Sequence, residues 1–177
     1  MSMNLEQLNQ LATDDLMKLL ETCCGASVWC TAMAHFQPYA SIEMLHIISD
    51  AIWRELDEDD YLEAFTHHPM IGDLDALKDK FQDKFQETAA WASDEQQGSN
   101  CASEQTLLEL QTANQDYLAE FGFIFIVCAT GKSASQMLQL LQARINNGYA
   151  EEIQLAADEQ NKITHLRLNK LLNDSTD

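Results

Sequence analysis

The sequence is poor in the two residues that interrupt helices. Its 177 residues include only 6 glycines and 2 prolines. Leu, Gln, Glu, Ala and Met, which lose little side-chain freedom in a helix, are plentiful. With 46% hydrophobic and 22% charged residues, the composition excludes a disordered chain. We therefore expect a mostly helical protein, and the length is typical of a single domain over residues 1–177.

Positive charge is also scarce. Ten basic side chains stand against 29 acidic ones, which gives a net charge of −19. The electrostatic field of such a negatively charged protein repels phosphate backbones and anionic lipid, so nucleic acid and membrane surfaces are not expected partners. A small anionic substrate would need local positive charge at its site. The chain has three arginines that could help to supply it: Arg54, Arg144 and Arg167.

Three further absences bear on location. The five cysteines are odd in number and form no Cys-x-x-Cys pair, which argues against a disulfide framework and a thiolate zinc site. The opening residues, MSMNLEQLNQ, lack the basic and apolar regions of a secretory signal. No apolar run is long enough to cross a bilayer. These patterns predict a soluble cytoplasmic protein with reduced thiols.

Apolar residues at helical spacing predict about eight helices in a compact all-α bundle. Ser41, Ser103 and Ser133 are expected N-caps, and Thr13 or Asp14 is expected to cap the first helix. The stretch FGFIFIVCA resembles a buried strand by residue type, but one strand makes no sheet, so we expect a buried helix or extended segment. The predicted helices cover residues 14–24, 27–36, 41–56, 57–67, 73–85, 104–122, 133–145 and 150–172.

Two motifs suggest chemistry that the residues do not support. ATGKSAS places Lys132 as in a phosphate-binding loop, but that loop needs a glycine at position 126, which is Ile126. A glycine that ends a helix, followed by the Ser133 cap, explains the motif better. The adjacent His67 and His68 suggest a metal, but neighbouring helical residues point about 100° apart and no His-x-x-x-His accompanies them. We expect no metal.

His68 is nevertheless the strongest catalytic candidate. A residue before proline is pushed out of helical geometry, so the helix that starts near residue 57 is expected to end at His67. His67 then complements the helix dipole. His68 is held extended by Pro69, with Gly72 allowing a turn after it, and it would project with little freedom to lose.

Two other segments add polar groups. The loop SDEQQG offers Glu95, a carboxylate suited to proton exchange, and Gln96, an amide suited to ureido or imide groups. Arg167 lies within the apolar pattern of the last helix, where an inward guanidinium could bind a carboxylate through two hydrogen bonds. Taken alone, Glu95 could instead be a solvated loop acid, and a surface ion pair is the favoured interpretation of Arg167.

Nearly the whole chain resembles the family of 2-oxo-4-hydroxy-4-carboxy-5-ureidoimidazoline (OHCU) decarboxylases of urate breakdown. The resemblance rests on HHPMIGD, WASDEQQG, FGFIFIVCATGKS and HLRLNKLL, whose motifs are jointly specific although each is weak alone. It implies an all-helical homodimer that converts its ureidoimidazoline substrate to (S)-allantoin without a metal or organic cofactor.

The resemblance also assigns site residues. It implies that His68 is catalytic, with Glu95 orienting His68 or the substrate, and that Arg167 binds an anionic group of the substrate. The family often has serine where this chain has Ala92. One hydroxyl hydrogen bond to the substrate is therefore either lost or supplied by the neighbouring Ser93. The remaining residues implied in substrate binding are Pro69, Asp94, Gln96, Phe125, Ile126, Val127, Cys128 and Ala129.

Two alternatives stay open at this point. A helical enzyme of the same fold could act on a related ureide, or the fold could serve an inactive partner-binding protein. The intact set of His68, Glu95, Gln96 and Arg167 disfavours the second alternative, because a binding module has no need of these groups.

Overall fold

The computed structural model describes residues 3–68 and 104–172. Both ranges are helical and contain no strand, so the predicted all-α class is confirmed. The helix predicted over 73–85 lies outside the described residues. The helices in the two ranges are α1 (Leu5–Asn9), α2 (Thr13–Glu21), α3 (Ser27–His35), α4 (Ile42–Arg54), α5 (Glu58–Thr66), α6 (Glu104–Phe121), α7 (Ala134–Arg144) and α8 (Tyr149–Leu172).

Local capping chemistry sets where most helices begin. The hydroxyls of Ser41 and Ser133 accept hydrogen bonds from main-chain N–H groups in the first turns of α4 and α7, as predicted. The predicted cap of α2 was wrong. Its N-cap is Ala12, which makes no side-chain cap bond, so Thr13 and Asp14 lie inside the helix. The predicted cap Ser103 lies outside the described residues.

Helix α1 was missed by the sequence analysis. It has only five residues, too few for a clear apolar period. The side chain of Asn4 accepts a bond from the N–H of Gln7, and the Gln7 side chain accepts one from the N–H of Asn4. This reciprocal capping box, together with burial of Leu8, is what stabilises so short a helix.

The described chain divides into two compact units. The first contains α1 to α5 and α8 from Ile153 onward, with Trp29, Leu16 and Leu20 fully buried in its core. The indole N–H of Trp53 donates to the carbonyl of Ala157 at 3.1 Å, which ties α4 to α8. Aromatic and leucine burial of this kind supplies most of the folding free energy of a helical unit.

The second unit contains α6, α7, the segment between them and the first turn of α8. Tyr117 is fully buried and packs against the rings of Phe121, Phe123 and Phe125 at centroid distances of 4.7 to 5.8 Å. The FGFIFIVCA stretch, predicted as a buried helix or an extended segment, has no regular secondary structure after Phe121. Gly122, at φ 76°, makes the turn out of α6 that excludes a continuing helix.

Gly131 also has a positive φ of 76°. It closes a turn after the irregular segment, so the expectation that it ends a helix was wrong, whereas the Ser133 cap that follows was right. Within residues 3–68 and 104–172, no helix combines the length and apolar character needed to cross a membrane.

Candidate functional site

His68 lies where the chain leaves α5. The helix ends at Thr66 and its C-cap is His67. This end was predicted because the residue before a proline, here His68, is disfavoured in helical geometry. The main-chain N–H of His68 donates to the carbonyl of Phe65 at 3.2 Å, and its side chain is half-buried. An imidazole placed at a helix exit in this way is fixed through its main chain yet remains partly accessible.

The imidazole of His68 is held by Gln160 of α8. Nε2 of His68 donates to Oε1 of Gln160, whose side chain is fully buried. The amide nitrogen of Gln160 donates to the hydroxyl oxygen of Thr164 at 3.2 Å, and that hydroxyl donates to the carbonyl of Gln160 at 3.1 Å. Sequence analysis missed Gln160. The available signal was a polar residue in line with the inward positions Ala156 and Thr164 of α8.

Arg167 lies on the same side of α8 as Gln160. Seven residues are close to two helical turns, so the two Cα atoms are separated by about 10 Å along the axis. The half-buried guanidinium of Arg167 donates through Nη1 to the carbonyls of Thr22 and Cys23, each at 3.4 Å. These carbonyls lie at the C-terminal end of α2, where a cation complements the helix dipole.

The cysteines beside Arg167 are poor nucleophiles. Burial raises the pKa of Cys23, and it raises that of Cys24 to about 11 although hydrogen bonding to Thr164 and the charge of Arg167 oppose the shift. At neutral pH both are therefore thiols, which do not attack electrophiles readily. Among the described residues beside these cysteines, the imidazole of His68 is suited to proton transfer and the guanidinium of Arg167 to anion binding.

His67 has a different environment from its neighbour. Its Nδ1 donates to the carbonyl of Glu63 at 3.2 Å, in the last turn of α5, and its Nε2 lies 3.6 Å from the carboxylate of Glu21. Its ring also rests on Gly25. These contacts join the end of α5 to the α2–α3 connection, which is a structural role.

A second group of polar side chains lies between α4 and α8. Nε2 of His165 donates to Asp50 at 2.7 Å, and its ring stacks on that of His46 at 4.6 Å. Burial alone would raise the pKa of Asp50, but hydrogen bonds from Asn161 and His165, with the charges of His165 and Arg54, outweigh it and lower the pKa. This network joins two helices and gives His46 and His165 a structural role.

The segment 125–129, predicted to contact the substrate ring, is supported by two cations in the second unit. Nη1 of Arg144 donates to the carbonyl of Ile126 at 2.8 Å, and the guanidinium lies 4.7 Å from the ring centroid of Phe125. Nζ of Lys132 donates to the carbonyl of Cys128 at 2.6 Å. Arg144 thus braces the segment, a role that sequence analysis did not find.

Arg144 is itself fixed by a buried carboxylate. Its Nε donates to Glu152 at 2.7 Å, and Glu152 also accepts from Tyr117 and, at 2.9 Å, from Asn147. The Glu152 side chain is fully buried and that of Arg144 is 12% exposed. This buried charge pair, with the hydrogen bond from Nη1 of Arg144 to Ile126, fixes the main chain that it contacts.

The remaining predicted site residues lie outside the described ranges. Their placement therefore stays a prediction, and so does their grouping with His68, Arg167 and the segment 125–129. These residues are Pro69, Ala92, Ser93, Asp94, Glu95 and Gln96.

Comparison with curated proteins finds relatives in urate degradation. The chain is 34% identical over 158 residues to the uric acid degradation bifunctional protein TTL of Arabidopsis thaliana, covering 87% of this chain and 46% of that protein. It is 27% identical over 173 residues to the 2-oxo-4-hydroxy-4-carboxy-5-ureidoimidazoline decarboxylase of Xenopus laevis, covering 94% of this chain and 93% of that protein. The chain spans less than half the length of the bifunctional relatives that it matches.

Two solved structures share the fold. A crystal structure of an OHCU decarboxylase in the presence of (S)-allantoin matches with a TM-score of 0.66 and 32% identity, over 87% of this chain and 96% of that one. A crystal structure of an (S)-allantoin synthase matches with a TM-score of 0.67 over 96% of this chain and 53% of that one, but at 17% identity it shows the fold alone. The profile of the OHCU decarboxylase family matches residues 9–169, and the chain belongs to this family.

Proposed function

We propose that the protein decarboxylates 2-oxo-4-hydroxy-4-carboxy-5-ureidoimidazoline to (S)-allantoin, in urate breakdown. The observation that carries the proposal is the family match over residues 9–169. The crystallised relative that is 32% identical to this chain is an OHCU decarboxylase studied with (S)-allantoin, and nearly its whole length is matched. The placement of His68 and Arg167 on one side of α8 is compatible with this chemistry.

The substrate explains why the reaction needs no cofactor. The bond between the quaternary ring carbon and its carboxyl carbon breaks, CO2 leaves, and the electron pair is taken up by the adjacent ring imine. The former imine nitrogen takes up a proton, the hydroxyl on the carbon that lost CO2 gives up its proton to become a carbonyl, and the ureido-bearing carbon gains a proton. Because the substrate supplies its own electron sink, the enzyme has to orient groups and transfer protons.

Each of these tasks is assigned here to one or more of the predicted site residues. We assign proton transfer at the hydroxyl-bearing carbon to His68, because an imidazole exchanges protons near neutral pH. Arg167 would hold an anionic group of the substrate and offset the repulsion from a chain of net charge −19. Glu95 would orient His68 or the N–H groups of the substrate. Pro69, the 92–96 loop and the main chain of 125–129 would complete the binding site.

We further propose a homodimer that works in the cytoplasm. The dimer follows from the family resemblance, and the cytoplasmic location from the odd number of cysteines and their lack of a Cys-x-x-Cys pair. Size-exclusion chromatography with light scattering tests the first of these. A mass near 20.0 kDa would contradict the dimer.

A direct assay tests the activity. The unstable substrate is generated in situ from urate by urate oxidase and hydroxyisourate hydrolase, and the protein is then added. We expect faster loss of the ultraviolet absorbance of the intermediate and appearance of optically active allantoin. Decay at the spontaneous rate, with racemic allantoin, would refute the proposal and leave the two alternatives, an enzyme that acts on a related ureide or an inactive partner-binding protein.

A further inference from the structure

We infer that Lys132 is a further cationic group of the substrate site, and that its ammonium group stabilises the negative charge that develops on the substrate ring as CO2 leaves. The inference deepens the proposed function. It rests on that function for the identity of the substrate and for the contact between the substrate and the segment 125–129. All the protein contacts that support it lie within the second unit.

The ammonium group of Lys132 is fixed at the end of this segment. Its Nζ donates to the carbonyl of Cys128 at 2.6 Å, and the main-chain N–H of the same lysine donates to the carbonyl of Ala129 at 3.1 Å. Gly131, with a φ of 76°, allows the turn that brings the lysine back to these carbonyls. The positive charge is therefore held against the main chain that is proposed to contact the substrate ring.

The charge of Lys132 is not balanced by a nearby carboxylate in the described part of the chain. Residues 104–152 include two basic side chains, Lys132 and Arg144. Arg144 is paired with Glu152, whereas Lys132 makes no ion pair within residues 3–68 and 104–172. In a protein of net charge −19, a fixed lysine without an acidic partner supplies the local positive charge that an anionic substrate requires.

Helix stability does not explain a cation at this position. Lys132 directly precedes Ser133, the N-cap of α7, and the positive end of a helix dipole repels a neighbouring cation. The first turn of α7 contains no acidic residue that would offset this repulsion. Where local electrostatics disfavour a residue type, a functional role is the expected reason for its presence.

The ammonium group retains hydrogen-bond donors for a ligand. It has three protons, of which the carbonyl of Cys128 accepts one. The side chain of Lys132 is half-buried, so water screens its charge less than it screens a charge on the open surface. A substrate ring that lies against residues 125–129 is therefore close to a directed and poorly screened positive charge.

The reaction produces the kind of charge that this group stabilises. When the bond to the carboxyl carbon breaks, its electron pair moves to the imine nitrogen of the ring, and conjugation spreads the negative charge to the 2-oxo oxygen. A hydrogen bond from the ammonium group to this oxygen strengthens as the charge grows, so it lowers the barrier more than it favours binding. Lys132 keeps all its protons, and the step needs no further reactant.

Three substitutions at this position separate the charge from support of the segment. Lys132→Gln keeps a hydrogen-bond donor without a charge, Lys132→Arg keeps the charge, and Lys132→Met removes both. With substrate generated in situ, we expect Lys132→Gln and Lys132→Met to lower kcat about 10- to 100-fold, with KM changed less than about threefold. Lys132→Arg is expected to retain at least about a third of the wild-type kcat. Lys18→Gln, at an exposed position of α2, changes the net charge equally and should leave kcat unchanged.

The same variants are compared without substrate to detect a merely structural role. In 1H–15N spectra, we expect the main-chain signals of residues 126–129 in Lys132→Gln to stay close to those of the wild type. Displaced signals, together with a loss of kcat that Lys132→Arg does not restore, would show that Lys132 only supports the segment and would overturn the inference.

The wild-type rate separates this inference from the proposed function. If the wild-type protein does not accelerate formation of (S)-allantoin, the proposed function fails and the inference falls with it. If the wild-type protein is active and Lys132→Gln has full kcat, the inference alone is overturned and the proposed function stands.

Discussion

The imidazole of His67 lies directly against Gly25. A Cβ atom at position 25 would be 2.2 Å from both Cγ and Nδ1 of His67, and 2.7 Å from its Cβ. The contact involves the base of the side chain, so a rotation of the ring cannot relieve it. The neighbouring histidines thus differ in kind, because His67 packs against the α2–α3 connection whereas His68 pairs with the buried Gln160.

Gly25→Ala is expected to destabilise the protein. The added methyl group forces His67 or the main chain to move, and overpacking of this kind costs about 1 to 3 kcal/mol of unfolding free energy. Urea denaturation measures the change. Gly148→Ala is the matched control, since a Cβ there would meet nothing within 4 Å, and equal midpoints for the two variants would contradict the contact.

Glu152→Gln is expected to cost about 3 to 5 kcal/mol of unfolding free energy, because it leaves the Arg144 guanidinium without its counter-charge in a buried place. We also expect lower activity in this variant, since Arg144 braces the carbonyl of Ile126. Thermal denaturation gives the stability. Glu151→Gln removes one acid from an exposed neighbouring position. A similar loss in both variants would show that net charge, rather than the buried pair, is responsible.

Stability is expected to fall in alkaline solution. Burial raises the pKa of Cys24 to about 11 and that of Cys30 to about 12, from an ordinary value of 9.0. Below pH 9 both states keep these protons and the contribution to stability is complete. Above pH 9 the unfolded chain loses them first, so the free energy of unfolding declines as the pH rises toward 11 and 12.

Urea midpoints between about pH 8 and pH 11, under reducing conditions, measure this decline. Cys30→Ala removes one of the two thiols and should give a shallower slope, even though its midpoint at about pH 8 is lower. An unchanged slope in Cys30→Ala would show that the buried thiol does not contribute.

Arg167→Gln is expected to raise KM about 10-fold, because a guanidinium that binds an anion through charge-assisted hydrogen bonds contributes to substrate affinity. Steady-state kinetics with the in situ substrate measure it. Lys170→Gln, at an exposed position of the same helix, changes the net charge by the same amount and should leave KM unchanged. If both variants raise KM alike, the effect is a long-range field and Arg167 makes no contact.

Most helices could be predicted from the sequence because their signals are local. The caps Ser41 and Ser133 bond to N–H groups three residues away, and the end of α5 follows from the proline two residues after His67. The α2 start was wrong because Ala12 makes no side-chain bond, so no residue type marks it. Where a cap or a proline sets a helix end locally, the sequence was enough to predict that end.

The parts that could not be predicted depend on distant pairs. Gln160 contacts His68 although the two residues are 92 positions apart in the sequence, and no sequence pattern near either residue indicates the contact. The irregular shape of FGFIFIVCA depends on Arg144, 18 positions after Ile126, whose guanidinium satisfies a carbonyl that a helix would have used. The predicted roles of Glu95 and the 92–96 loop stay predictions.

Removal of the His68 imidazole has a consequence that the sequence alone did not predict. From the sequence, His68→Asn is expected to leave thermal stability nearly unchanged. Because the variant takes the donor from the buried Oε1 of Gln160, we now expect a loss of about 1 kcal/mol. A variant with full stability would show that the substituted asparagine side chain, or water, satisfies the amide.

The most direct measurement compares kcat for His68→Asn and His67→Asn, with (S)-allantoin followed by circular dichroism and both variants checked for folding. We expect His68→Asn to lower kcat by about 100-fold or more, as loss of a general acid–base group does, and His67→Asn to change it less than about threefold. Equal losses in the two variants, or an active His68→Asn, would contradict the assignment of proton transfer to His68.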